Sequence, residues 1–219
     1  ANKNSIKIIG DHTEMFEQGY FAYDSKKSGG VTVSHLRFGP QELKSHYVIT
    51  EADFIACHNH AYVSSFDVLE GIKDGGSFLL NCEWSPEELD EKLPASVKQT
   101  IAQKHLDFYI INAYRIAEDI GLGHRINMVL QSAFFKISNV LDFDQAVDYM
   151  KAAVKKTYGK KGDKIVNMNN AAIDRGAEAF IKVDVPAAWA SVQDEEHAAS
   201  PNDFLREVVM PIAAQQGNT

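Results

Sequence analysis

The chain has 219 residues, 45% apolar and 24% charged, enough to build a full core and unlike a disordered composition. No apolar run approaches the roughly 18–20 residues that a helical membrane span needs, and 22 basic against 30 acidic residues give a net charge of −8, without the basic footprint of a general nucleic-acid binder. Cys57 and Cys82 are the two cysteines, too few for a disulfide framework or an all-cysteine iron–sulfur or zinc site, and they point to a reducing, cytoplasmic home. The sequence opens at Ala1 without methionine or signal pattern, so an excised piece of something longer is expected.

In chain order, the opening Ala1-Asn2-Lys3-Asn4-Ser5 reads either as a frayed end or as the first turn of a helix, whose N-terminus would attract phosphate. Val31 to Phe38 is β-branched and alternating, and reads as a strand after Gly29-Gly30. Tyr47 to Ile49, Asp53 to Cys57, Ser77 to Leu80 and Phe108 to Ile111 read as further short strands. Gly75-Gly76 is taken as the turn into the strand at Ser77. Ser85-Pro86-Glu87-Glu88 is a helix start with a capping box. Ala113 to Ile120 leads into Gly121-Leu122-Gly123. Ile126 to Val140 reads as a buried helix, Asp144 to Thr157 as an amphipathic one and Asn167 to Phe180 as a third. After Val185-Pro186 the pattern weakens, and the last forty or so residues read as a departing arm. Within them Ser200-Pro201 is expected to start a short helix ending near Pro211. Strands separated by helices imply an α/β protein, three-layer α/β/α with a largely parallel or mixed sheet and a helix-rich second half.

Several segments carry chemistry. Tyr23-Asp24-Ser25-Lys26-Lys27-Ser28-Gly29-Gly30 places lysines, hydroxyls and glycines in one loop, a pattern suited to an anion, with a plain polar turn as the alternative. It is not a Walker loop, because the lysines precede the glycines. Cys57-His58-Asn59-His60 invites a zinc reading, but no further ligands at recognisable spacing follow, and a strand-end loop is the better functional reading. The thiols read as inert and buried. Lys155-Lys156-Thr157-Tyr158-Gly159-Lys160-Lys161 is locally basic where a helix ends, so its lysines would answer the helix dipole. Asn127 inside an apolar helix, and Asn167, Asn169 and Asn170 opening another, are amides that must find partners in backbone or ligand.

Taken together, Asn2 to Asp11, Gly19-Tyr20-Phe21 through Gly39, Gly75 to Cys82, Leu93 to Ser96, Arg125 to Met128, Ser132 to Lys136, Tyr158 to Gly162 and Val183 to Ala187 resemble the gamma-type domain (the third domain) of pyruvate:ferredoxin or flavodoxin oxidoreductase. The resemblance implies a multidomain, homodimeric parent that cleaves pyruvate oxidatively with coenzyme A. Thiamine diphosphate and iron–sulfur clusters would lie in other domains, and ferredoxin or flavodoxin would accept the electrons. Residues 1–185 would be the gamma-type domain and 186–219 an arm leading to the next. No nucleic acid or membrane partner is implied, and the piece alone would be inactive. Carried over by position, the resemblance assigns coenzyme A contacts to Lys27, with Lys26 beside it, and to Asn127 and Asn169. In the family a strand and a glycine-rich phosphate loop precede the segment matching Ala1, so Asn2, Lys3 and Ser5 would be the remaining part of that anion site. A scaffold module without its own ligand, or a free-standing nucleotide-binding α/β protein, are the alternatives.

Overall fold

The computed structural model describes residues 2–23, 32–42 and 49–193, and the backbone alone at Asn2 and Tyr23. The predicted strand at Tyr47 to Ile49 and the short helix after Ser200 fall mostly or wholly outside these residues. The described chain divides into two compact units. One comprises residues up to 52 together with 111–181, and the other 53–110 together with 182 onward.

The first unit opens with a helix, α1 (Asn2–His12), so of the two readings of the opening segment the helical one holds. A hairpin follows, β1 (Phe16–Tyr23) and β2 (Thr32–Gly39), antiparallel with Phe16 opposite Gly39 and Tyr23 opposite Thr32. Gly19 lets α1 lie against β1, because a Cβ there would collide with the Ile6 side chain. After the hairpin come α4 (Ala113–Ile120), α5 (Asn127–Ser138), α6 (Phe143–Tyr158) and α7 (Asp163–Gly176). Ile8 and Ile9 of α1 share a core with Phe135 of α5, Ala146, Met150 and Val154 of α6, and Ile173 of α7. The spacing of the three α6 residues is the helical stripe legible in the sequence. α5 and α7 are in close contact: a Cβ on Gly176 would lie 2.8 Å from Val129 Cα, and the Ser132 hydroxyl donates to Ile173 O at 2.6 Å.

The second unit holds most of a mixed sheet in the order β3 (Ala52–Cys57), β4 (Ile72–Asn81), β5 (Asp107–Ile111), β6 (Ile181–Lys182). With the helices it makes the protein an α/β fold. β3 and β4 run parallel: Gly76 lies against Asp53 O, and Asn81 Nδ2 donates to His58 O, a constant offset along both strands. Gly75-Gly76 is not a turn before a strand but lies inside β4. Gly75 takes φ +68°, a left-handed value that glycine adopts without strain, and its N–H leaves the ladder to donate to Lys104 O at 2.8 Å. The helix start at Ser85 is found, with the Ser85 N–H donating to Glu88 Oε2 at 2.8 Å. It opens a 3-10 turn (Pro86–Glu88) continued by α2 (Leu89–Lys92) and α3 (Ala95–Gln103).

Packing in this unit extends past residue 185. Trp189, only 3% exposed, sits in a 3-10 turn (Ala187–Ser191), joins the core formed by Phe78, Leu80, Ile101 and Phe108, and donates from Nε1 to Asp90 Oδ1 at 2.8 Å. Gln103 Nε2 donates to Ala190 O at 2.8 Å, and Gln99 holds Val192 O. The pattern weakens after Pro186 because a 3-10 turn that buries one large side chain leaves no periodicity to read.

Candidate functional site

α1 and β1 run in opposite directions. Lys3 Nζ stands 5.4 Å from the Phe21 ring centroid, Ile6 meets Gly19, and Gly10 meets Glu17. The N-terminus of α1 therefore lies beside the Tyr23–Thr32 end of the hairpin, from which residues 24–31 depart. Lys26 and Lys27 belong to that segment and lie outside the described residues. The first turn of α1 carries no acidic residue, so its partial positive charge is not offset from within the helix. Asn2 begins the helix. Lys3 is exposed at its tip. Ser5, 3% exposed, is buried beneath it.

The start of α5 joins this end of the unit. Asn4 Nδ2 donates to Gln131 Oε1 at 3.2 Å, and Gln131 is 1% exposed with Nε2 unpartnered. Asn127 is one helical turn before Gln131, about 6 Å along the axis on the same face. It is not inside an apolar helix as expected: it is the first residue of α5 and exposed. Helix formation is delayed to this point because Gly121 (φ +87°) and Gly123 (φ +58°) turn the chain first. That turn also presents His124 and Arg125, both exposed. Arg125 makes no ion pair among the described residues. Sequence reasoning passed over Arg125 as a site residue, although glycines followed by a basic residue at a helix start are a legible signal for an anion.

Asn169 is not brought to this end. It lies in the middle of α7, which begins at Asp163 and not at Asn167, and is buried with its Nδ2 donating to Ile165 O at 2.8 Å. Its amide is consumed by the helix that carries it. The Cys57-His58-Asn59-His60 segment falls in the other unit, at the ends of parallel β3 and β4. Asn59 caps a 3-10 turn by accepting from Ala61 N, and the His60 ring packs on Trp84 at 4.8 Å. Burial holds the His58 imidazole below its ordinary pKa. Burial also pushes the Cys57 and Cys82 thiols up to about 11, so neither is a ready thiolate. No group of three or more metal-capable side chains occurs among the described residues.

Comparison with known proteins bears on this arrangement. The family model described as pyruvate ferredoxin/flavodoxin oxidoreductase matches residues 1–179. The chain is 59% identical along its whole length to pyruvate:ferredoxin oxidoreductase of Moorella thermoacetica, and 50% identical to pyruvate-flavodoxin oxidoreductase of Enterobacter agglomerans. It covers 19% of each, so it spans about a fifth of the length of these relatives. Among solved structures it shares the fold of the pyruvate oxidoreductase subunit PORC of Thermotoga maritima (TM-score 0.62, 14% identity, 82% of this chain and 90% of that one). It also shares the fold of part of a 2-oxoglutarate:ferredoxin oxidoreductase from Magnetococcus marinus, solved with 2-oxoglutarate, coenzyme A and succinyl-CoA bound (TM-score 0.57, 19% identity, 82% of this chain and 29% of that one). With four-fifths of its residues matched by one family model, the chain belongs to the pyruvate ferredoxin/flavodoxin oxidoreductase family and corresponds to its gamma-type domain.

Proposed function

We propose that this chain handles coenzyme A within an oxidoreductase that converts pyruvate and coenzyme A to acetyl-CoA and carbon dioxide, passing the electrons to ferredoxin or flavodoxin. The observation that carries this reading is the convergence at one end of the first unit: the N-terminal turns of α1 and α5 adjoin beside the hairpin end from which the Lys26-Lys27 segment departs. Two helix N-termini and nearby cations suit a phosphate-bearing ligand. In this reading Lys27, with Lys26, neutralises phosphate. Asn2, Lys3 and Ser5 form the α1 side of the anion site, and Asn127 with Arg125 the α5 side. Asn169 supports α7 instead of touching ligand. The chemistry of carbon–carbon cleavage and electron transfer falls to other domains of a homodimeric, cytoplasmic parent: two buried, neutral cysteines cannot furnish the thiolates of an iron–sulfur cluster. Residues 1–185 form the domain, the remainder leads onward, and the chain is inactive alone.

The test is Lys27→Ala in the intact oxidoreductase. The apparent KM for coenzyme A rises several-fold while that for pyruvate holds; equal changes in both, or neither, would remove Lys27 from the site. A scaffold role without ligand contacts is favoured by two details: the Asn169 amide bonds within its own helix, and the Lys3 ammonium rests on Phe21. Under that reading coenzyme A dependence is indifferent to Lys27, Asn127 and Arg125 alike.

A further inference from the structure

Between residues 149 and 173 the chain carries six lysines and one aspartate, against a net charge of −8 for the whole. Lys151 is paired with Asp174 at 2.7 Å. The other five, Lys155, Lys156, Lys160, Lys161 and Lys164, are exposed at the turn joining α6 to α7, and none forms an ion pair among the described residues. Asp163 is the sole carboxylate among residues 155–164.

The helix dipole explains only part of this. Lys155 and Lys156 stand in the last turn of α6, where cations are stabilising. Lys160 and Lys161 lie beyond that helix, in the 3-10 turn (Gly159–Lys161), immediately before α7. Lys164 lies within the first turn of α7. At a helix N-terminus cations are disfavoured. These three lysines therefore work against local stability, and together with the α7 terminus they concentrate positive potential on one protruding turn. None of the residues assigned above to coenzyme A lies in this turn.

We infer that the α6–α7 turn is a docking surface for an acidic protein that associates transiently. Charge complementarity selects the partner's sign. Lysine is depleted at the centres of permanent interfaces, and exposed lysines without an apolar centre fit an electrostatically steered encounter. A nucleic acid is disfavoured because the rest of the chain is strongly acidic.

Fluorescein-labelled poly-L-glutamate serves as the acidic probe, followed by anisotropy on the whole chain at low and at physiological ionic strength. The chain binds at low salt and releases the probe as salt rises. The triple variant Lys160→Gln, Lys161→Gln, Lys164→Gln binds about tenfold more weakly, and its Tm is unchanged or higher. A control triple variant that removes equal charge from ion-paired lysines, Lys73→Gln, Lys92→Gln, Lys151→Gln, keeps at least most of the affinity. Absence of binding, an equal loss in the control, no loss in the first variant, or a fall in its Tm would each overturn the inference. So would a DNA duplex that binds more tightly than poly-L-glutamate and displaces it.

Discussion

Gly176→Ala isolates the α5–α7 contact that fixes where α5 begins. In an ordinary helix, replacing glycine with alanine gains up to about 1 kcal/mol. Gly176 is the last residue of α7, so the gain there is smaller. Against it stands the position of the new methyl group, 2.8 Å from Val129 Cα and 3.0 Å from Val129 C, where carbon atoms prefer roughly 3.5–4.0 Å. The obstacle is backbone, which cannot rotate aside, so the two helices must separate by several tenths of an ångström. That loosens the buried Ser132 to Ile173 O bond and the packing of Ile173. Overpacking of this kind costs about 1–3 kcal/mol, leaving a net loss of about 1–2 kcal/mol. Urea unfolding followed by helical circular dichroism measures it. With a slope on the order of 2 kcal/mol/M, the midpoint falls by about 0.5–1 M. An unchanged or raised midpoint would refute the close approach of α5 and α7.

Other consequences follow from single residues. His105 ends α3 at φ +50°, with Leu106 N–H reaching back to Ile101 O at 3.0 Å; Gly121 ends α4 in the same way at φ +87°, with Leu122 N–H on Ala117 O at 2.7 Å. In thermal melts His105→Gly is expected to stabilise by up to about 1 kcal/mol, and Gly121→Ala to destabilise by about 1–2 kcal/mol. Trp189→Ala is expected to cost about 3–5 kcal/mol and Trp189→Phe much less, because burial outweighs the bond to the largely exposed Asp90; equal, small losses would show that the 187–191 turn does not contribute to the core. Burial raises both thiols to about 11, so above the ordinary thiol range the unfolded chain releases protons that the native one retains, and stability falls as pH rises toward 11. Native protein at pH 8 should leave both cysteines unreactive to Ellman's reagent until denatured; prompt reaction of either would contradict their burial.

What the sequence disclosed, and what it hid, follows from how local each signal is. Ala146, Met150 and Val154 mark α6 because one helical face meets one core, and Gly121 marks the end of α4 because a left-handed cap is written in a single residue. β1 left little trace: Phe16 and Tyr20 are exposed, Gly19 interrupts the strand, and its definition comes from pairing with residues 32–39. The Gly75-Gly76 pair looked like a turn because glycine signals a positive φ, not whether the chain reverses there. The anion-suited end of the first unit was partly legible in Asn2, Lys3 and Ser5. The part played by α5 was not, since it depends on Asn4 meeting Gln131, 127 residues apart. Asn169 misled because a buried amide satisfied by its own helix reads the same as one awaiting a ligand.

The central claim, that this chain contacts coenzyme A through the α1–α5 end, is tested most directly by saturation-transfer NMR. The chain is titrated with coenzyme A, with dephospho-coenzyme A, ATP and NAD as controls, and the titration is repeated on Lys27→Ala and Arg125→Ala. Transfer to coenzyme A that exceeds the controls and weakens in both variants is the expected result. Transfer that is absent, or indifferent to both substitutions, would contradict the account and leave the chain as scaffold.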